Sequence, residues 1–275
     1  MRRDVRYRPA PLAWEHATED FAAYLAASGC RASTITTRTG HIRSAGRHLP
    51  TGPWQTSGAQ LLEWAGTQTW STATRRSQYA SLRRFYAWGM SAGHCTSDPS
   101  AALPRVGPER AIARPTPDTA YRHARAHADT RERLILDLAA RCGLRRSEIA
   151  QVHTRDLMDD LAGWSLIVHG KGGHTRIIPI PDDLARAIRV AGGWLLPSQR
   201  GGHLTPAHVG RLAAAVLPGD WTLHTLRHRF ATRAHAGSRD LIAVQQLLGH
   251  ASVATTQRYI ATERDALRSA LMAAA

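Results

Sequence analysis

A chain of 275 residues is long enough for two modest domains, each able to bury a core. Its 36 lysines and arginines exceed its 21 aspartates and glutamates by 15, an excess that suits a phosphate backbone, although a chain merely rich in arginine shows the same balance. The three scattered cysteines, Cys30, Cys95 and Cys142, argue against a disulfide framework or a CxxC metal pair. With no apolar run near the ~18 residues of a spanning helix and no signal-peptide core in MRRDVRYRPAPLAW, the expectation is a cytoplasmic, nucleoid-associated protein without membrane contact.

Met1 to Pro11 reads as a basic, proline-punctuated arm. From Thr18 to Ser28 the positions Phe21, Tyr24, Leu25 and Ser28 mark a short amphipathic helix stopped by Gly29. A second helix opens at Ser33, with Ile35, Thr39 and Ile42 inward and Arg31, Arg38, Arg43 and Arg47 outward. After the break at Pro50 to Pro53, a third spans Ser57 to about Gly66. A fourth spans Thr72 to Ala92, with Tyr79, Leu82, Phe85 and Tyr86 inside and Arg75, Arg76, Arg83 and Arg84 outside. Four helices with aromatic inner faces and arginine outer faces make a small all-α domain over residues 1–106. LPRVGPERAIARPTP, with four prolines, reads as a linker at 107–117, and the second domain covers 118–275.

In that second part, Thr116 and Pro117 resemble an N-cap and first-turn proline for a helix reaching Ala128. Arg131 to Arg141 is a further helix, ended at Gly143, and Arg145 starts another that carries Ile149 and Val152. Trp164 to Val168 and Thr175 to Pro179 form a β-hairpin around HGKGGH, whose glycines let the tip approach a backbone closely. Asp182 to Val190 and Thr205 to Val216 are helical. Leu223 to Ala236 follows, closed by Gly237 at φ > 0, then about Asp240 to Leu248, closed by Gly249. A last apolar stripe at Leu267, Leu271 and Met272 suggests a terminal helix, docked on its own domain or on a neighbouring copy.

The chemistry concentrates between Trp221 and Ile260, which hold His224, Arg227, His250 and Tyr259. His224 and Arg227, three apart on a helix, share a face. A phenol becomes a useful nucleophile once a base takes its proton, and arginine forks grip non-bridging phosphate oxygens, so the set points to attack on a phosphodiester. Singly, each residue has a blander reading as packing or as a solvated charge. His224 and His228 at i, i+4 also resemble half a metal site, but Thr225 stands where a zinc protease needs glutamate.

LHTLRHRFAT, LLGH and TTQRY, together with CGLRRSEIA at Cys142 to Ala150 and VHGKGGHTRIIPI at Val168 to Ile180, resemble the signature of the tyrosine recombinases, the phage-integrase and Xer family. The match is specific from Cys142 to Ile260 and at fold level only before Leu103. Cys142, where the family often has threonine, and Arg229, where a small hydroxyl residue is common, are the departures. The resemblance implies a mainly α protein with a small β-hairpin or sheet: a four-helix SAM-like core-binding domain followed by a catalytic domain, the two clamping a DNA duplex.

The resemblance further implies a catalytic set of Arg145, Lys171, His224, Arg227, His250 and Tyr259. Tyr259 attacks, leaving a 3′-phosphotyrosyl link and a free 5′-hydroxyl; Arg145 and Arg227 hold the phosphate oxygens; Lys171 protonates the leaving oxygen. His224 assists proton removal from Tyr259, His250 donates to the phosphate, and Glu148 orients the basic cluster. No metal, ATP or other cofactor is expected. The implied partner is double-stranded DNA, gripped by a homotetramer on paired sites that is a monomer in solution, with Arg38, Arg43, Arg75, Arg76, Arg83 and Arg84 as candidate DNA contacts. The role read first is integration of a phage or other mobile element. An Xer-type resolvase, a type IB topoisomerase-like enzyme and a non-catalytic DNA-binding protein are the alternatives. With the first helix expected by about Thr18, an arm-less recombinase acting on short sites is expected.

Overall fold

The first helix, α1 (Leu12–Ala27), starts six residues before the expected Thr18, because Trp14 and Ala17 carry the buried stripe of Phe21 and Leu25 back to Pro11. The computed structural model describes residues 9–107, 114–161, 163–170 and 173–249. By its internal contacts the chain divides into two units, Met1–Arg110 and Ala111–Ala275.

In the first unit, α2 (Ala32–Gly46), α3 (Gly58–Gly66) and α4 (Thr72–Ser91) follow α1. Ser57 accepts from the Gln60 amide while the Gln60 side chain accepts from that of Ser57, a reciprocal cap that fixes the start of α3. Ser71 caps α4 through the Thr74 amide. The core is aromatic: Trp54 stacks on Phe85 with ring centroids 5.0 Å apart, and Phe21 meets Phe85 edge-on at 5.3 Å. The expected inward residues Phe21, Leu25, Ile42, Tyr79, Leu82, Phe85 and Tyr86 are all buried. Ser28, placed on the same stripe, is exposed at the end of α1.

The second unit runs α5 (Asp118–His127), α6 (Thr130–Arg141), α7 (Arg146–Ala150), β1 (Leu157–Asp160), β2 (Gly163–His169), β3 (Thr175–Ile180), α8 (Asp182–Val190), α9 (Pro206–Val216), α10 (Leu223–Ser238) and α11 (Leu241–Leu248). The strands form one antiparallel sheet in the order β1-β2-β3, in which Val168 faces Arg176 and Leu166 faces Ile178. Leu166, Val168, Ile178 and Ile180 turn one sheet face into the core, which continues through Ile135, Leu136, Leu138 and Ala139 of α6 to Leu223 and Leu226 of α10. Among the described residues no helix is long and apolar enough to cross a membrane.

Four local expectations need correction. The strand β1 makes the hairpin a three-stranded sheet. Thr116 does not cap α5: its hydroxyl lies 2.7 Å from that of Thr225 and its amide donates to the Thr225 carbonyl, so Pro117 precedes the helix without a side-chain cap. α7 stops at Ala150, short of Val152, whose carbonyl instead accepts from the Leu195 amide. α10 runs through Gly237 to Ser238, and Arg239 takes the left-handed turn at φ 56°. Asp240 accepts from the Ile242 and Ala243 amides to start α11, so the reversal must come immediately before it. The expected terminal helix at 267–272 lies outside the described residues.

Candidate active site

Two chain reversals build the site. Where α6 ends, Gly143 at φ 67° turns the backbone so that Arg145 stands at the N-cap of α7. Glu148, three residues on, accepts from the Arg145 amide at 2.8 Å through Oε2 and from Arg145 Nη1 at 2.7 Å through Oε1. The second reversal is Gly249, whose left-handed conformation at φ 61° closes α11 against the same cluster.

Three arginines from three segments converge on Glu148, whose side chain is 1% exposed. Beside Arg145, Arg176 of β3 sends Nη1 and Nη2 to Oε1 and Oε2, each at 2.9 Å, and Arg227 of α10 stands with Nη1 3.7 Å from Oε2. The same three arginines cap successive carbonyls at the end of α11. Arg176 Nε donates to Leu247 at 2.8 Å, Arg227 Nη2 to Leu248 at 2.6 Å, and Arg145 Nη2 to Gly249 at 3.4 Å. These carbonyls form the negative end of a helix dipole, so the arrangement neutralises both the carboxylate and the helix terminus. Arg227 Nη1 also donates to the Gly143 carbonyl, tying the two reversals together. Burial pushes the Glu148 carboxyl upward, but the Arg176 fork, the Arg145 amide and the Arg227 charge outweigh it, and the group titrates at about 2.

His224, on the first turn of α10, faces this cationic cluster. Partial desolvation, then Arg227 and Arg145, lower its pKa, so the imidazole is neutral near pH 7 and able to accept a proton. His228 packs edge-on against it with ring centroids 4.6 Å apart and is held down to about 4 by burial, His224 and Arg227. A cavity of about 550 Å³ opens between α7, α9 and α10, lined by Arg145, Arg146, Ser147, Thr222, His224 and Arg227 among others. The chemistry available there is the gripping of an anion by arginine forks beside a neutral imidazole base. Among the described residues no cluster of three or more His, Cys, Asp or Glu is arranged to hold a metal ion.

Arg145, His224, Arg227 and Glu148 are thus brought together. Lys171, His250 and Tyr259 lie outside the described residues. Cys142 is buried, which pushes its thiol up to about 12, and Arg229 braces Asp118 at 2.8 Å while lying over the Tyr121 ring, so both departures from the family pattern sit in packing. Arg176 went unrecognised in the sequence. The signal was there in the alternation Arg176, Ile178, Ile180, which puts a charge on the buried face of a strand, where it requires a partner.

Most of the candidate DNA contacts in the first unit are engaged within the protein. Arg75 donates to the carbonyls of Ala65 and Gln68, both at 2.9 Å, and Arg83 to that of Leu103 at 2.7 Å. Arg38 donates to the Ala80 carbonyl at 3.1 Å and Arg43 to Glu15 at 2.7 Å. Arg76 and Arg84 are exposed, the latter over the Tyr24 ring.

The sequence profile of the phage integrase family matches residues 118–265. Tyrosine recombinase XerD of Caulobacter vibrioides is 34% identical over 228 residues, covering 70% of this chain and 72% of that protein. Tyrosine recombinase XerC of Pelobacter propionicus is 39% identical over 156 residues, 50% of this chain and 49% of that one. In fold, the chain is similar to a lambda integrase dimer bound to a COC′ core site, with a TM-score of 0.71 and 20% identity over 91% of this chain and 95% of that one. It is similar also to the recombinase XerH bound to a palindromic difH substrate, with a TM-score of 0.67 and 18% identity over 86% and 78%. The chain therefore belongs to the phage integrase family, the tyrosine recombinases, whose members cut and rejoin DNA.

Proposed function

We propose that the chain is a site-specific recombinase of double-stranded DNA in which Tyr259 is the nucleophile. The observation that carries this reading is the convergence of Arg145 and Arg227 on one buried carboxylate with the neutral His224 beside them. The Tyr259 oxygen attacks phosphorus as its proton passes toward His224. The bond to the 5′-oxygen breaks, Lys171 supplies the proton that leaves with it, and His250 donates to a non-bridging oxygen. The two arginines neutralise charge on the pentacoordinate phosphorus, a task that metal ions perform in other nucleases, so the reaction proceeds in the presence of chelator. Bond energy stays in the phosphotyrosyl link, and the partner strand's 5′-hydroxyl reverses the step without ATP. Four copies on two paired sites, assembled from monomers in solution, complete strand exchange; the exposed Arg76 and Arg84 suit phosphate contacts better than the engaged Arg75 and Arg83.

Integration of a mobile element is one role this chemistry serves. The 34% and 39% identity to XerD and XerC proteins favours the other, resolution of joined replicons. The test of the shared chemistry uses a nicked suicide duplex carrying a site selected from randomised DNA. The wild-type chain forms a covalent adduct on it, with or without chelator, while Tyr259→Phe binds with unchanged affinity and forms none. An adduct from Tyr259→Phe would remove the tyrosine from its role.

A further inference from the structure

Arg145, Arg146 and Arg227 all line the cavity between α7, α9 and α10, and they are not alike. Arg145 donates to Glu148 and to the Gly249 carbonyl, and Arg227 is 1% exposed with its Nη atoms on the Gly143 and Leu248 carbonyls. Arg146 is exposed, and among the described residues it makes no hydrogen bond or ion pair.

An exposed arginine without a protein partner is ordinarily a solvated charge. What sets Arg146 apart is the place its side chain takes. It lies across α9 at Gly210: a Cβ on that glycine would stand 2.9 Å from Arg146 Cδ and 3.0 Å from its Nη1, and the three nearest atoms it would meet all belong to Arg146. Gly210 sits inside α9 and is not among the glycines of positive φ, so its backbone does not ask for glycine. Glycine inside a helix costs stability, and the room this one leaves is taken by Arg146. The side chain is thus seated on a cavity wall while its guanidinium has no protein partner.

We propose that Arg146, from the seat Gly210 leaves open on α9, grips a phosphate of the DNA backbone other than the one Tyr259 attacks. The proposal rests on the reading that DNA enters this cavity. A guanidinium fork matches the non-bridging oxygens of a phosphate. Arg146 is turned to α9 rather than to Glu148, where Arg145 and Arg227 gather, so its contact is made alike before and during the reaction. Such a contact serves affinity more than rate, and by releasing counterions it serves every DNA sequence equally.

The test reads affinity by fluorescence anisotropy, on the selected site and on an unrelated duplex, across a salt series. Arg146→Met should bind both duplexes about tenfold more weakly, with the slope of log affinity against log salt shallower by about one. Adduct formation on saturating suicide duplex should fall by less than about threefold. Gly210→Ala keeps every charge but pushes the Arg146 side chain from its seat. It should weaken binding about threefold in the wild-type chain and not at all in the Arg146→Met chain. An unchanged salt slope in Arg146→Met, a loss confined to the selected site, or a loss of saturated rate as large as the loss of affinity overturns the proposal. So does a Gly210→Ala effect that is the same with and without Arg146. Absence of adduct from a wild-type chain that binds DNA would instead defeat the reading of Tyr259 as nucleophile, which the binding measurements do not probe.

Discussion

Arginines in the two units leave solvent for different ends. In the first, Arg75 reaches back to the Ala65 and Gln68 carbonyls and Arg83 reaches forward to Leu103, each fastening one stretch of backbone around an aromatic core. In the second, Arg145, Arg176 and Arg227 meet on one carboxylate and one helix terminus, with Arg227 1% exposed. A buried ion cluster is a weak source of stability compared with an apolar core of the same volume, because the desolvation of its charges offsets much of their attraction. What such a cluster does supply is a set of N–H groups held in place before a substrate arrives. The same residue type thus staples backbone in one unit and gathers on a single carboxylate in the other, where the proposed function gives Arg145 and Arg227 the task of an anion grip.

The comparison breaks most visibly at Glu148. Glu148→Ala strands Arg176 and Arg227 beside each other without a counter-charge and should lower the stability of the chain by about 3–5 kcal/mol, read by urea unfolding. The acid limb should change with it. The carboxyl titrates at about 2 in the folded chain against an ordinary 4.5, so its contribution is fully present above pH 4.5 and is lost as pH falls toward 2. The alanine variant should lack that part of the slope, and an unchanged slope would mean that the arginines do not hold the carboxyl down. At the other end of the scale, Arg83→Ala should cost only about 1 kcal/mol, the worth of a carbonyl contact at a partly exposed site, with adduct formation at saturating DNA unchanged. A large loss of cleavage in Arg83→Ala would erase the distinction between the units.

Much of this was legible in the sequence, for reasons that also explain what was not. Helices announced by local signals, such as the apolar stripe of α4 or the Thr205 and Pro206 start of α9, stand where their residues place them. Arg145, His224 and Arg227 were legible because the motif fixes their spacing and the turns around them are short. β1 was not: Leu157–Asp160 is mostly exposed with no apolar alternation, and only pairing with β2 makes it a strand. The left-handed Arg239 was hidden because the demand for it comes from the next helix cap rather than from the residue itself. The destinations of long side chains were hidden as well, since nothing local says that Arg83 ends on a carbonyl 20 residues away or that Arg176 ends on Glu148.

The central claim is that Arg145 and Arg227 are a preset phosphate grip rather than a structural knot, and Arg227→Lys tests it most directly. Lysine keeps the charge and loses the fork. With the suicide duplex saturating, the account predicts that the variant binds DNA within about threefold of wild type and forms covalent adduct at least about 100-fold more slowly. Adduct formation at the wild-type rate, or a loss of binding as large as the loss of cleavage, would contradict it.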